Sequence, residues 1–242
     1  MDRAVFDRMA AHEQVHWWFV GRRAIIRALI EREVKLGPDA RILEAGCGTG
    51  GNLPLLSRYG RIEGFESDPE ARRLAASGGF PVSVGALPDA VAEPDATYDL
   101  VGLFDVLEHV EDDVPALATL GRKLRAGGTL LITVPAMPWL WSAHDRTHHH
   151  YRRYTARSLK RVITAAGLRA VNVGYFNTLL FPLAAVHRGL HGLFGTEEAT
   201  DEMPARSLNA MLSAIFRSES RWVGRVPVPF GLSLFAVVKA PR

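Results

Sequence analysis

Among its 242 residues the chain has a single cysteine, Cys47, so no disulfide can form within it and a reducing compartment is the simpler expectation. Long apolar runs are also missing. Leu179–Val186 is an eight-residue stretch interrupted by Pro182, far short of the roughly 20 residues needed to span a bilayer. The opening Met1–Arg8 is charged and lacks the apolar centre of a secretory signal. A cytoplasmic protein is expected, either free or peripheral to the inner face of the membrane. Excess charge of one sign is absent too: 29 Lys and Arg against 26 Asp and Glu give +3, too little for a dedicated nucleic-acid binder. No repeat or low-complexity stretch interrupts the chain. With 48% hydrophobic and 23% charged residues it reads as one compact domain.

What is present is an alternation of short apolar runs and helical patterns. Ile25, Ile26, Leu29 and Ile30 recur at helical spacing over Arg22–Val34, before Gly37-Pro38 and after the aromatic cluster His16-Trp17-Trp18-Phe19. Strands are expected at Arg41–Glu44, Arg61–Glu66, Val82–Val84, Tyr98–Phe104, Thr129–Val134, Ala170–Tyr175 and Ser233–Lys239. Helices are expected between them at Leu53–Tyr59, Pro69–Ser77, Val114–Leu124 and Ser158–Ala166. Such alternation predicts an α/β fold with a parallel sheet covered on both faces. Ligands of such sheets bind outside the carboxyl ends of the strands.

The first strand runs into Glu44-Ala-Gly46-Cys47-Gly48-Thr-Gly50-Gly51-Asn52. Glycines here let the backbone turn tightly and approach a ligand closely. Gly46, Gly48 and Gly51 also satisfy a dinucleotide fingerprint, which leaves a nicotinamide or flavin enzyme open. Glu44 bears on that choice: a carboxylate beside the first glycine repels a diphosphate and favours an ammonium or sulfonium, as in S-adenosylmethionine. Glu66, at the end of the second strand, can accept hydrogen bonds from the hydroxyls of a ribose.

Five blocks, Ile42–Gly50, Gly64–Pro69, Tyr98–Val101, Phe104–Val110 and Leu124–Leu130, stand in the order seen in the class I S-adenosylmethionine-dependent methyltransferases, and residues 40 to 135 resemble that family. The resemblance implies a Rossmann-like, doubly wound seven-stranded sheet, mostly parallel with an antiparallel last strand, carrying helical lid insertions. It places the cofactor S-adenosylmethionine over Glu44, Gly46, Cys47, Gly48 and Asn52, its ribose at Glu66 and Ser67, and the Phe104–His109 loop, including Asp105, beside it. The Asp that many relatives use for the adenine amine is missing from Gly85-Ala86-Leu87-Pro88, so backbone at Ala86 and Leu87, or Asp89, has to replace it. The division expected is a cap over 1–36, a cofactor core over 37–135 and acceptor-side lids over 136–157 and 176–229, all in a single 1–242 domain.

With the last strand antiparallel, both lids and the N-terminal aromatics meet at the cofactor edge. Trp17 and Trp18, with Arg22 or Arg23, either cover the methionine end of the cofactor or pack as core. The lid after the fifth strand is rich in chemistry: Trp139, Trp141, His144, Asp145, His148, His149, His150, Tyr151, Arg152, Arg153 and Tyr154. His144 or His149 is a candidate general base. Arg152 or Arg153 is a candidate partner for an acidic acceptor, and Trp141, Tyr151 and Tyr154 are candidate acceptor contacts. The same run also reads as a solvated basic lid without a base. His109 reads as a loop-structuring residue. His144, Asp145 and His148 have metal-ligand types but no cysteine partner, and no metal is expected. The second insertion, with Leu179–Val186, Leu208–Phe216, Arg188, Arg206, Arg217, Arg221 and Arg225, is patterned as short amphipathic helices that cover a greasy acceptor, touch an anionic membrane, or pack against the sheet or a second subunit. The functional expectation is methyl transfer to oxygen or nitrogen of a small-molecule or lipid-like acceptor, by a monomer or homodimer, with no nucleic-acid partner. The rivals are an NAD(P)-dependent oxidoreductase and a cofactor-binding protein without turnover.

Overall fold

The computed structural model describes residues 10–186 and 203–240; Met1–Arg8 and Arg188 lie outside them. Seven strands form one sheet in the order β3-β2-β1-β4-β5-β7-β6. They are β1 (Arg41–Ala45), β2 (Arg61–Glu66), β3 (Val82–Val84), β4 (Tyr98–Phe104), β5 (Leu124–Pro135), β6 (Arg169–Phe176) and β7 (Ser233–Lys239). β1 to β5 pair in parallel, whereas β7 runs antiparallel to both β5 and β6. The doubly wound sheet with its reversed last strand is therefore present.

The helices are α1 (Trp17–Glu33), α2 (Leu53–Leu56), α3 (Pro69–Ser77), α4 (Asp113–Lys123), α5 (Ala143–Thr147), α6 (Ala156–Ala165) and α7 (Arg206–Ser218). Residue parity along the strands divides the core. Val101 and Leu103 of β4 and Leu234, Ala236 and Val238 of β7 face the cluster beneath α4 and α6. Leu100, Phe104, Phe235 and Val237 face the cluster beneath α1 and α7. Within α1, Ile25, Ile26 and Leu29 are fully buried and Ile30 nearly so. At about 1.5–3 kcal/mol per buried side chain, this stripe outweighs any capping contribution at the helix ends.

Three boundaries differ from the sequence expectation by three residues or more. The cluster Trp17-Trp18-Phe19 opens α1 rather than preceding it, with the His16 side chain accepting from the Trp18 backbone N–H as N-cap. α2 stops after Leu56 instead of reaching Tyr59. β5 begins at Leu124 rather than Thr129, because Leu124 pairs with Tyr98 before a register shift. That shift holds Gly127 at φ +79°, a bulge conformation suited to glycine. The pairing partner comes from β4, so local pattern carried no sign of it.

α7 joins the sheet layer by crossing α1. Trp17 N–H donates to Asn209 Oδ1 at 2.8 Å, and Asn209 Nδ2 returns a bond to the Val15 carbonyl at 2.8 Å. At the crossing, a Cβ on Gly21 would run into the Phe216 ring, itself fully buried. Gly21→Ala is expected to destabilise the fold by about 1–3 kcal/mol through overpacking, read as a lower urea midpoint. Phe216→Leu in the same chain is expected to recover part of that loss. An unchanged midpoint for Gly21→Ala would show the crossing to be looser than described.

Candidate active site

At the carboxyl end of β1 the chain turns through Gly46 and Gly48 at φ +66° and +54°, left-handed values that a Cβ disfavours. This turn brings Asn52 back over the strand, where its Nδ2 donates to Glu44 Oε1 at 2.7 Å. Glu44 shares the parity of Ile42 and so points toward α1. Its ladder neighbours are Gly64 on β2 and Gly102 on β4, whose missing side chains leave room for Cys47 and for the Phe104 ring. Glu44 is 2% exposed; it is not an open carboxylate at the strand end. Burial pushes its carboxyl up to about 7, against the opposing Asn52 hydrogen bond and the Arg22 charge. Glu44 Oε2, Asn52 Oδ1 and Arg22 Nε are all buried without a hydrogen-bond partner. Two orphaned acceptors beside a carboxyl that ionises near neutrality fit a ligand group that donates hydrogen bonds and carries positive charge. The ammonium of S-adenosylmethionine is such a group.

Glu66 stands at the end of β2, 8% exposed. Its Oε2 accepts from the Gly48 N–H at 2.8 Å, and its Oε1 from the Asp68 N–H at 2.9 Å and the Ser67 hydroxyl at 3.2 Å. A carboxylate offers about four acceptor positions. One therefore remains for a ribose hydroxyl, and a second opens if Ser67, the longest of the three bonds, swings away. Cys47 is buried between these groups, and burial together with Glu44 and Glu66 pushes its thiol well above the ordinary range. Phe104 is also buried, on the α1 face of the sheet.

The structure corrects several expected roles. Arg22 does not project its charge outward: Nη1 pairs with Asp105 Oδ2 at 2.6 Å, and the Thr133 hydroxyl donates to the same oxygen at 3.1 Å. The guanidinium lies 4.7 Å from the centre of the Trp18 ring, so Trp18, Arg22 and Asp105 do meet, as a neutralised cluster rather than as a free carboxylate receptor. Trp17 packs toward Phe216 at 6.1 Å. The Ala86 N–H is taken, donating to the Ala90 carbonyl at 2.8 Å, while its carbonyl accepts from the Ala90 N–H at 2.9 Å and keeps a second acceptor position. Leu87 packs against the core beside it.

The segment after β5 closes on itself, and this overturns two more assignments. Ala136 bridges Tyr154, the Met137 N–H donates to the Tyr154 carbonyl, and the Tyr154 N–H donates to the Pro135 carbonyl, both at 2.9 Å. Tyr154 is thereby interior, 2% exposed, with its hydroxyl donating to Asp113 at 2.9 Å. Arg153 is interior too: Nε donates to the fully buried Asp145 at 2.7 Å and Nη1 to the Ala136 carbonyl at 3.2 Å. Neither side chain is open to an acceptor. Arg152 is committed to Asp113 at 2.8 Å and to the Glu111 carbonyl at 2.6 Å. Trp141 and Tyr151 remain exposed.

Of the two candidate bases, His144 lies in a group of rings: 4.1 Å from His148 and 6.1 Å from His150, which in turn is 4.6 Å from His109. His149 is exposed, sits at φ +55° and adds no ring to that group. The set His144, Asp145 and His148 is not assembled for a metal, since Asp145 is occupied by Arg153 and by His150 Nδ1 at 2.9 Å. His109 is held neutral: burial, then the neighbouring His150 and His148, push it down to about 3. Burial and the Asp105 charge push Glu108 well above the carboxylate range.

Sequence reasoning missed Glu13. Its Oε2 accepts from the Thr49 hydroxyl at 2.7 Å, the Gly51 N–H also contributes, and Arg23 holds its carbonyl at 2.6 Å. The carboxylate thus lies over the glycine loop. Nothing in His12-Glu13-Gln14 marks that residue, because the loop partners of its carboxylate, Thr49 and Gly51, are more than thirty positions away.

A family profile described as "Methyltransferase domain" matches residues 18–173. A malonyl-[acyl-carrier protein] O-methyltransferase from Enterobacter lignolyticus is 32% identical over 209 residues, covering 79% of this chain and 77% of its own. A probable S-adenosylmethionine-dependent methyltransferase from Mycolicibacterium smegmatis is 29% identical, covering 72% and 68%. Among solved structures, a putative methyltransferase in complex with the Haloferax volcanii Trm112 methyltransferase activator superposes with a TM-score of 0.64 at 20% identity over 99% of this chain and 97% of that one. Geranyl diphosphate C-methyltransferase from Streptomyces coelicolor gives 0.59 at 15% identity over 89% and 79%.

The raised Glu44 carboxyl has a consequence for stability. The folded chain holds this proton up to about pH 7, whereas the unfolded chain releases it near the ordinary value of 4.5. Stability from this group is therefore complete below about pH 4.5 and is lost as pH rises through about 7. Glu44→Gln is expected to stabilise the cofactor-free protein by up to about 3 kcal/mol at about pH 8 and to leave it unchanged at about pH 4. Urea titrations at both values check this; equal effects at both would refute the assignment.

Proposed function

The chain belongs to the class I S-adenosylmethionine-dependent methyltransferases, and on that premise we propose that it transfers the methyl group to an oxygen or nitrogen of a small-molecule or lipid-like acceptor. The observation carrying the acceptor class is an apolar wall at the cofactor edge. Trp139 from the segment after β5 meets Phe181 edge to face at 6.0 Å, and Phe181 meets Phe230 at 5.1 Å. Trp139, Trp141, Tyr151, Leu179 and Leu183, from the two inserted segments, are exposed. Exposed aromatics of this density mark a binding surface more often than ordinary solvent-facing structure. Among the described residues no helix is long and apolar enough to cross a membrane. Transfer to oxygen is the chemistry named for the Enterobacter relative.

In this reading Glu44, Gly46, Cys47, Gly48 and Asn52 hold the methionine end of the cofactor, with Glu44 and Asn52 accepting from its ammonium. Glu66 and Ser67 take the ribose, while Leu87, Phe104, Asp105 and His109 border the remainder. When bound, S-adenosylmethionine supplies a methyl group already activated by positive sulfur. The chain's own work is then to align the acceptor and accept its proton. His144, in the ring cluster, is the proposed acceptor of that proton; Trp141 and Tyr151 offer flat apolar contact, and Arg152 sits at the rim.

Cofactor affinity is expected to fall as pH drops through about 7, because Glu44 must ionise to face a cation. In Glu44→Gln the affinity is expected to be at least about tenfold weaker, the equivalent of 1.4 kcal/mol, and flat with pH. Calorimetry with S-adenosylmethionine reads both. Affinity that is independent of pH and of this substitution would remove Glu44 from the site. S-adenosylhomocysteine release is expected with hydroxylated or carboxylated amphiphiles, and a product methylated on carbon would overturn the acceptor class.

A further inference from the structure

The 3-10 turn Leu107–His109 follows β4, and the loop after α5 lies against it, clamped by the Tyr151 N–H donating to the Glu108 carbonyl at 2.7 Å. The clamp brings one ligand atom each from Glu108, His109 and His150 within 4.8 Å of one another. Glu108 is 1% exposed, and its Oε2 has no hydrogen-bond partner. A buried carboxylate in that condition is relieved by a proton or by a cation.

Both imidazoles are oriented in the way metal ligands are. His150 Nδ1 bonds to Asp145 Oδ1 at 2.9 Å, which leaves Nε2 as the nitrogen for a metal. Asp145 is fully buried and anchored by Arg153 and the Ser142 N–H. His109 is held through the His148 backbone, which leaves its other ring nitrogen for a metal. An imidazole whose other nitrogen is fixed by a carboxylate or a carbonyl is the usual outer shell of a metal site.

We propose that Glu108, His109 and His150 bind a divalent transition-metal ion. Two imidazoles and one carboxylate suit zinc or its first-row neighbours rather than magnesium or calcium, which prefer all-oxygen sets. Three protein ligands leave at least one coordination position for water or an exogenous oxygen, as in open rather than closed sites. The triad expected to be excluded from metal binding, His144, Asp145 and His148, is thus replaced by a different one, with Asp145 as the positioning residue. Metal binding in this proposal needs no bound cofactor.

The test uses the full chain, stripped with a chelator and titrated with Co2+ as a spectroscopic probe and with Zn2+ in competition. Visible d–d bands saturating at one Co2+ per chain and bleached by Zn2+ are expected. Glu108→Gln and His109→Ala are expected to abolish them, and Asp145→Asn to weaken binding about 10–100-fold. Circular dichroism confirms that each variant is folded; His109, being partly exposed, is the variant that keeps the test valid if Glu108→Gln is not. A wild-type chain without d–d bands, or bands that survive in folded His109→Ala, would overturn the proposal. Bleaching by Mg2+ at the same concentration as Zn2+ would overturn the metal class.

Discussion

A carboxylate placed inside the protein at the end of β1 is the constraint around which the cofactor edge is arranged. Burying Glu44 is unfavourable unless it is answered, and the chain answers it only in part. Asn52 supplies one hydrogen bond and Arg22 supplies charge at a distance. The left-handed glycines at 46 and 48 exist in service of this contact, since they turn the chain so that Asn52 returns above the strand. Gly64 and Gly102, its ladder neighbours, carry no side chain, and the room this leaves is taken by Cys47 and by the Phe104 ring. In the proposed reading the unanswered remainder favours a cation at the site, and the same remainder is expected to cost the cofactor-free protein stability. Function and stability are in opposition at this residue.

Charge is handled differently a few residues away. Arg22 and Asp105 neutralise each other, Asp145 holds Arg153 and His150, and Asp113 holds Arg152 and the Tyr154 hydroxyl. These pairs are short, largely shielded and geometrically complete. They stitch α1, the turn after β4 and the segment after β5 to the sheet. Glu44 and Glu108 differ from them in having an oxygen with no partner.

The antiparallel return of β7 decides where the two inserted segments open. Ser233 starts beside Pro135, and Phe176 ends beside Ser233. Both insertions consequently open on the same edge as the glycine loop, and α7 reaches across to lock the N-terminal end of α1 through Asn209 and Phe216. The sheet supplies a common cofactor platform, while the aromatics Trp139, Phe181 and Phe230 belong to the inserted pieces. Acceptor choice can change in those pieces without disturbing β1 to β5.

The sequence by itself determined the order of strands and helices, the glycine loop and the two acids that follow β1 and β2. Each of these is written in local periodicity or in glycine spacing, which act over a few residues. It did not determine which charged side chains face a ligand. Arg153 and Tyr154 read as acceptor contacts from their neighbours alone, yet the bridge between Ala136 and Tyr154 turns them inward. Glu13, Glu108 and His150 gain their meaning from partners far along the chain. Only tertiary structure decides such cases, because burial and pairing of a charge depend on what packs against it from distant segments, and local pattern carries no record of that.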